Sequence, residues 1–170
     1  MVTDIAGLLR SAGAVEYGSF VLASGEKSSW YLDIKTAVTD PVILGTIAHE
    51  IVHITDFDVV AGVAVGGVPV AVAASLASGK PYAIIRSTDK SHGKSEKVIG
   101  RVEGRSVLLV EDVTTSGGSA LNGVEILRSH GATIDTVVTV VDRQAGAARM
   151  LEAAGVRLVA LATADQIVRR

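Results

Sequence analysis

Residues 106–131 read SVLLVEDVTTSGGSALNGVEILRSHG and pass from an apolar run through a polar turn into a second apolar pattern. The run Val107–Val110 is short and continuous, which is typical of a central strand buried on both faces. From Ala120 onward apolar residues recur at helical spacing, and Gly131 stands where a helix commonly ends. The segment therefore predicts a strand, a turn and a helix in direct succession.

The turn between this strand and helix carries the polar chemistry. Two carboxylates, Glu111 and Asp112, precede the run Thr114–Ser119, which consists of hydroxyl residues and glycines. Glycine lets a backbone approach an anion closely, and the unpaired amides at a helix N-terminus attract phosphate. The carboxylates would repel that phosphate, so they suit sugar hydroxyls or a divalent cation instead. The order of these groups favours a ligand with a phosphate beside a ribose over a plain structural turn.

Length and composition narrow the class of protein. With 170 residues, 48% of them hydrophobic and 20% charged, the chain suits one globular domain with a substantial core. A formal net charge of −2 offers no basic footprint for nucleic acid or membrane, and the absence of cysteine excludes disulfides. The sequence shows neither an apolar run of the roughly 20 residues that a membrane span needs nor a signal-peptide pattern. These features predict a cytoplasmic protein.

Strand and helix patterns alternate after Phe57. Such alternation predicts an α/β fold with a mostly parallel central sheet, and ligands of such sheets bind at the carboxyl ends of the strands. The expected strands span about 58–63, 82–86, 106–111, 134–141 and 156–161, and the expected helices about 67–78, 118–130 and 145–154, with Gly79, Gly131 and Gly155 beyond the helix ends.

The N-terminal part of the chain predicts a hairpin between two helices. Thr3 is placed to cap a short first helix. Residues 18–34 are interpreted as two strands around a turn at Ser24-Gly25, with an aromatic face that more often indicates packing than binding. Asp40-Pro41 begins a second helix that runs to about Ile54.

The second helix contains the sequence HEIVH at His49–His53, which matches the H-E-x-x-H pattern of zinc proteases. A zinc site would need a third ligand, and Val59 stands where the longer form of that motif has its third histidine. We interpret His49, Glu50 and His53, together with Thr46, as the solvent-facing side of the helix. The expected apolar stripe consists of Val42, Ile43, Leu44, Ile47, Ile51 and Ile54.

Three loops at the expected ligand edge carry further signals. Residues 62–69 form a glycine-rich turn, a second place suited to an anion. Residues 86–97 are polar and lack apolar anchors, which is typical of a lid. Their Gly93-Lys94-Ser95 resembles the end of a P-loop, but Thr88 stands where that motif has its first glycine, so we reject a nucleoside triphosphatase (NTPase) function. Arg143 follows the end of a later strand.

The run Val107–Ser119 resembles the signature loop of the type I phosphoribosyltransferases, which bind 5-phosphoribosyl 1-diphosphate (PRPP). Three other segments resemble one branch of that family, the orotate phosphoribosyltransferases. They are a hood at Phe20–Tyr31, a catalytic loop at Arg86–Gly93 and an end-of-strand motif at Asp142–Gly146. The resemblance covers nearly the whole chain. It implies a type I phosphoribosyltransferase-like fold in a single domain, residues 1–170, with a small N-terminal hood at about 1–36 and a core at about 37–170.

The resemblance also implies an activity. The 5-phosphoribosyl group of PRPP would pass to N1 of orotate, giving orotidine 5′-phosphate and diphosphate in pyrimidine (UMP) biosynthesis. Mg²⁺ would be held mainly by PRPP and water. The expected assembly is a homodimer in which the catalytic loop reaches the neighbouring subunit's site, with no nucleic-acid or membrane partner.

The residues implied for this activity fall into three sets. The catalytic set is Lys90, His92 and Asp112, with His92 either a proton donor or a hydrogen-bond partner. The orotate-binding set is Ser24, Lys27, Thr115 and Arg143. The PRPP-binding set is Arg86, Lys90, His92, Glu111, Asp112, Val113, Thr114, Thr115, Ser116, Gly117, Gly118 and Ser119.

The chain departs from the family pattern at several cationic positions. Ser87 and Ala23 stand where the family commonly has lysine, and Val65-Gly66 stands where it has Tyr-Lys, so Lys94 or Lys97 is a candidate substitute. Two rival functions are a purine transferase, which would have no carboxylate for Arg143 to bind, and a PRPP-sensing regulator, which would need a nucleic-acid surface.

Overall fold

The computed structural model describes residues 3–21, 25, 27–86 and 96–168, and they form two sheets with helices around them. The strands are β1 (Val15–Val21), β2 (Lys27–Leu32), β3 (Val59–Val63), β4 (Tyr82–Ile85), β5 (Val98–Ile99), β6 (Val107–Thr114), β7 (Thr136–Asp142) and β8 (Arg157–Thr163). The helices are α1 (Ile5–Ser11), α2 (Ile34–Ala37), α3 (Pro41–Val52), α4 (Gly67–Ser78), α5 (Gly118–Ser129), α6 (Ala147–Ala153) and α7 (Ala164–Val168).

The central sheet has six strands in the order β5-β4-β3-β6-β7-β8. The five long strands pair in parallel, and the short β5 pairs antiparallel to β4 at one edge. This order places β6 in the middle, between β3 and β7. The predicted α/β fold with a mostly parallel sheet is confirmed.

Each face of the sheet buries its own apolar core. Leu108 and Val110 of β6 belong to a cluster with α1, α3, α4 and α7, whereas Val107 and Leu109 belong to a cluster with α5 and α6. All four side chains are at most 3% exposed. The continuous apolar run thus fills both cores because successive strand residues point to opposite faces.

Strand β6 is longer than the sequence predicted. It continues to Thr114 because Glu111 pairs with Thr139, Val113 with Val141 and Thr114 with Asp142 of β7. The predicted strand ended at Glu111, which left Asp112 in the turn, but both carboxylates lie within the strand. The sequence also did not predict α2, β5 or α7.

Three of the predicted helices end where glycine was expected. Gly79, Gly131 and Gly155 stand one or two residues beyond α4, α5 and α6, with φ of +70°, +80° and +72°. Glycine adopts this left-handed conformation without the clash that a Cβ would create. These helix ends were therefore readable from sequence.

The first helix begins differently from the prediction. Its N-cap is Asp4, whose carboxylate accepts a hydrogen bond from the amide of Gly7 at 2.8 Å. Thr3, the predicted cap, instead donates its hydroxyl to Glu50 Oε1 at 2.5 Å. A carboxylate and a hydroxyl are both good caps, so their order along the chain did not decide between them.

Helix α3 confirms the solvent-facing interpretation of the HEIVH motif. Ile43, Ile47 and Ile51 are buried, whereas His49 and His53 are exposed. Asp40 caps the helix and Pro41 opens it, as predicted. Val42 was wrongly placed in the inner stripe, since it is 70% exposed, and the helix ends at Val52 rather than at Ile54.

The hairpin β1–β2 lies on the α3 side of the molecule. Its first strand begins at Val15, earlier than predicted. The rings of Phe20 and Tyr31 lie 5.7 Å apart, and Trp30 packs against the core cluster on that side. The aromatic face therefore contributes packing, as expected. Within the part of the chain that is described, we find no helix long and apolar enough to cross a membrane.

Candidate active site

Polar side chains are buried where two neighbouring strands of the central sheet end. Glu111, Asp112 and Thr114 lie near the carboxyl end of β6, and Asp142 ends β7. Each of them is at most 9% exposed, at the sheet edge where parallel folds bind ligands. This edge is the candidate active site.

Glu111 faces helix α5. The hydroxyl of Ser119, in the first turn of α5, donates a hydrogen bond to Glu111 Oε1 at 3.0 Å. Burial raises the pKa of Glu111 to about 7, because a charged carboxylate loses its hydration there. The charge of Asp112 raises this pKa further, whereas the Ser119 bond and the charge of Lys35 oppose the shift.

Asp112 lies on the other side of the strand from Ser119. Its Oδ2 atom lies 3.6 Å from Nζ of Lys35, which comes from α2. A Cβ added to Gly66 would overlap the Asp112 carboxylate, so the turn after β3 passes directly beside it. The two adjacent carboxylates therefore have different surroundings. Glu111 faces α5, and Asp112 lies between α2 and the β3–α4 turn.

The glycines on either side of the β3–α4 turn allow close packing that a side chain would prevent. A Cβ on Gly67 would lie 2.6 Å from the carbonyl oxygen of Val110, and one on Gly62 would overlap the carbonyl of Gly67. Side chains at these positions would push α4 away from β6. The sequence suggested an anion site here, and this close packing explains the glycines independently of any ligand.

The hydroxyl run after β6 divides into two groups. The Thr114 hydroxyl is buried and donates to Asp142 Oδ1 at 3.3 Å, and the Ser119 hydroxyl is bonded to Glu111 as stated. Thr115 and Ser116 are exposed at the start of the turn. Gly117 has φ of +89°, and a Cβ there would lie 2.9 Å from Cα of Ala147. The turn leaves exposed hydroxyls and the N-terminus of α5 facing the same edge.

Two other members of the predicted PRPP set lie at the end of β6 and the start of α5. Val113 is half-buried in β6 and packs against the core. Gly118 opens α5 and is exposed, and a Cβ there would have only the Ser116 hydroxyl as a neighbour, at 3.8 Å.

Arg143 connects the central sheet with the hairpin. Its amide donates to the carbonyl of Thr114 at 2.9 Å, which places it beside the end of β6. Its guanidinium carbon lies 4.8 Å from the ring centroid of Trp30, a cation–π contact. The next residue, Gln144, has φ of +59° and its amide donates to Asp142 Oδ1 at 2.9 Å.

The remaining predicted residues are less central or lie outside the described chain. Arg86 follows β4, one strand beyond β3, and its amide donates to the carbonyl of Lys97 at 2.9 Å. Lys27 is exposed at the start of β2. Ser24, Lys90 and His92 lie outside the residues that the structure describes.

Sequence reasoning missed Lys35 and Trp30 as neighbours of the site. A signal was present for each. Lys35 is the only lysine or arginine between Lys27 and Lys80, and Trp30 is the only tryptophan of the chain. Neither position has a spacing relation to the PRPP loop, so only the fold reveals the contacts.

The carboxylates do not assemble a metal cage by themselves. Among residues 3–21, 25, 27–86 and 96–168 we find no group of three or more His, Cys, Asp or Glu side chains that could hold a metal ion. Glu111 and Asp112 are engaged by Ser119 and Lys35. The oxygens of these carboxylates are ligands of the kind that Mg²⁺ prefers.

Both a protein-family model and individual known proteins match this chain. The family model for the phosphoribosyl transferase domain matches residues 42–160. An orotate phosphoribosyltransferase of Methanoculleus marisnigri is 56% identical over 168 residues, 99% of this chain and 99% of that protein.

Solved structures agree with this comparison. The crystal structure of orotate phosphoribosyltransferase from Aeropyrum pernix matches with a TM-score of 0.86 and 37% identity over 96% of each chain. The Mycobacterium tuberculosis H37Rv orotate phosphoribosyltransferase in complex with PRPP matches with a TM-score of 0.77 and 31% identity, again over 96% of each chain.

Proposed function

This chain belongs to the orotate phosphoribosyltransferase family, and from that membership we propose that it transfers the 5-phosphoribosyl group of PRPP to N1 of orotate. The products would be orotidine 5′-phosphate and diphosphate, a step of pyrimidine biosynthesis. The observation that carries the proposal is the 56% identity to an orotate phosphoribosyltransferase along 99% of both chains.

The carboxylates would bind the ribose of PRPP. Asp112 and Glu111 lie at the end of β6, where they can accept hydrogen bonds from the ribose hydroxyls. Cleavage of the bond between C1 and diphosphate develops positive charge on the ribose. Negative side chains beside the ring would stabilise that charge more in the transition state than in the ground state.

The turn and the start of α5 would bind the 5′-phosphate. Thr115 and Ser116 expose their hydroxyls, and the unpaired amides of residues 117–119 add donors with a favourable helix dipole. Thr114 and Ser119 would contribute through their backbone or by holding Asp142 and Glu111, since their hydroxyls are engaged there.

Arg143 would recognise orotate. A guanidinium can bind a carboxylate through two parallel hydrogen bonds, and orotate carries a carboxylate that purine bases lack. The Trp30 ring beneath the guanidinium would hold it in position. Thr115, Lys27 and Ser24 complete the proposed orotate set, with the hairpin acting as a hood over the base.

The leaving diphosphate would meet the cations of the 86–97 segment. Arg86, Lys90 and His92 are assigned to it from the family resemblance, and Lys94 or Lys97 is a candidate substitute for the lysine that Ser87 replaces. In a homodimer this segment would serve the neighbouring subunit's site. Closure over PRPP would exclude the water that hydrolyses it.

Mg²⁺ is proposed as the cofactor. When bound, it would offset the negative charge of the diphosphate. The protein would contribute Asp112 and Glu111 through the ribose rather than a cage of its own. The cytoplasmic location and the division into a hood and a core stay predictions.

A spectrophotometric assay tests the proposal. The purified protein is mixed with PRPP, Mg²⁺ and orotate, and the absorbance of orotate is followed with and without a chelator. We expect a decrease that requires both PRPP and Mg²⁺. Consumption of adenine or hypoxanthine instead of orotate would contradict the assigned base, and PRPP binding without turnover of any base would favour a regulator.

A further inference from the structure

Lys35 is a cation at the site that the proposed reaction leaves without a role. Its Nζ atom lies 3.6 Å from Asp112 Oδ2, and its side chain is 70% exposed, compared with 10% for Asp112. This distance is longer than a good hydrogen bond, so charge attraction rather than a fixed bond holds the pair. The ammonium group is therefore free to turn to a stronger anion.

The backbone at Lys35 is held in place by the fold, whereas the ammonium group is exposed. Asp33 caps α2 by accepting a hydrogen bond from the amide of Thr36 at 3.0 Å. Ile34 and Ala37 of the same helix are buried in the core. A long flexible side chain on a rigid base can serve two nearby partners in turn.

The β3–α4 turn on the other side of Asp112 offers no cation. It consists of Ala64, Val65 and Gly66, and a side chain at Gly66 would overlap the Asp112 carboxylate. A ligand whose ribose lies at Asp112 would bring its diphosphate into the same neighbourhood, because the diphosphate is attached to C1 of the ribose. Lys35 is the cation whose contact with Asp112 the structure records.

We propose that Lys35 binds the diphosphate group of PRPP, leaving Asp112 free to accept hydrogen bonds from the ribose hydroxyls. This inference rests on the proposed function for the identity of the ligand. In the free protein Lys35 neutralises the buried Asp112, and in the complex a phosphoryl oxygen replaces the carboxylate as its partner. Lys35 thereby couples the ribose and diphosphate parts of the site.

Calorimetric titrations with three ligands test this role. PRPP, inorganic diphosphate and ribose 5-phosphate are titrated into the wild type, Lys35→Met and Lys35→Arg. Loss of a charge-assisted contact should weaken binding of PRPP and of diphosphate roughly tenfold in Lys35→Met. Ribose 5-phosphate lacks the diphosphate, so its affinity should change much less. Lys35→Arg should retain most of the affinity for all three.

Two outcomes would overturn the proposal. An equal loss for ribose 5-phosphate and PRPP would show that Lys35 only positions Asp112, and unchanged PRPP affinity would show that it has no contact with the ligand. Arg105→Met removes a charge before the opposite end of β6 and should leave all three affinities unchanged. Thermal unfolding of each variant checks that the fold is intact.

The titrations separate this proposal from the proposed function. Binding of PRPP requires no transfer to orotate. If the wild type binds PRPP but does not consume orotate, the proposed reaction fails while the comparison of Lys35 variants still decides the role of Lys35.

Discussion

Glu111 and Asp112 are neighbours in sequence but have different surroundings. Glu111 is bonded to Ser119 on α5, and Asp112 lies between Lys35 and the β3–α4 turn. Burial raises the pKa of Glu111, and the charge of Lys35 opposes this shift. The acidic pair therefore provides two carboxylates that have different partners.

The raised pKa of Glu111 predicts a pH-dependent stability. Its folded pKa of about 7 lies above the ordinary value of 4.5, so the folded state favours the protonated form. The stabilising effect is complete below pH 4.5 and is lost as the pH rises through 7. Across this window Glu111 should lower the free energy of unfolding by on the order of 3 kcal/mol.

Denaturant unfolding measures this effect when the wild type and Glu111→Gln are compared between roughly pH 5 and 8. The glutamine variant does not ionise at position 111, so the difference between the two proteins isolates that group. We expect the wild type to lose stability relative to the variant as the pH rises. A difference that stays constant with pH would contradict the assignment.

The proposed role of Arg143 predicts how a change at this residue affects the response to orotate. Arg143→Ala should raise KM for orotate roughly 10- to 100-fold, because a charged pair loses one partner, and should change PRPP affinity much less. Since Trp30 is the only tryptophan and lies against Arg143, its fluorescence should change when orotate binds. Steady-state kinetics and this fluorescence titration provide two readouts.

The matched variant for Arg143 is Arg143→Lys, which keeps the charge but loses the planar pair of donors. It should fall between the wild type and the alanine variant in KM for orotate. Equal losses of orotate and PRPP binding in Arg143→Ala would contradict the proposed role of Arg143 in orotate recognition.

At the scale of elements, the β3–α4 unit packs unusually closely on β6. Gly62 and Gly67 have negative φ, so left-handed backbone does not explain them; the approach of α4 to the carbonyl of Val110 does. The same closeness brings Gly66 against Asp112 and so positions the turn at the site. Gly62 and Gly67 therefore allow the close packing of α4 and, through it, the position of the turn at the candidate site.

Two glycine variants with opposite expected effects test this packing. Gly67→Ala places a Cβ 2.6 Å from backbone and should destabilise the fold by roughly 1–3 kcal/mol. Gly45→Ala, in the middle of α3 with nothing within 4 Å, should stabilise it by about 0.5–1 kcal/mol. Denaturant unfolding compares them, and a neutral Gly67→Ala would show that α4 can move at little cost.

At the scale of the whole molecule, the central sheet is the platform of the site. Strands β3, β6 and β7 are adjacent and parallel, so the β3–α4 turn, the acidic pair and Arg143 meet at one edge. The apolar clusters on the two faces hold this platform rigid. The hairpin reaches the same edge through the contact between Trp30 and Arg143.

The proposed homodimer is tested by complementation. Lys90→Ala and Asp112→Ala subunits, each inactive alone, are combined through different affinity tags into verified heterodimers. If the catalytic segment serves the neighbouring subunit, one of the two sites regains both residues, and about half of the wild-type activity should return. Heterodimers that stay inactive would indicate that each site is built within one chain.

The sequence by itself determined the fold class and the location of the site. Strand and helix patterns, helix-ending glycines and the run from Val107 to Ser119 are local features, because they report backbone conformation and the alternation of side chains along one segment. They predicted that the segments following β3, β6 and β7 meet at one edge of the sheet, and the strand order brings them together there. They misjudged where β6 ends, among other element bounds, since its last residues are polar and depend on pairing with β7.

Only the tertiary structure decided which side chains meet at that edge. The pairs Lys35–Asp112, Trp30–Arg143 and Thr114–Asp142 join residues that are 28 or more positions apart. Such contacts depend on how the hairpin, α2 and the strands pack together, and no periodicity within a segment encodes them. The sequence thus specified the type of site, and packing selected the partners of each charge.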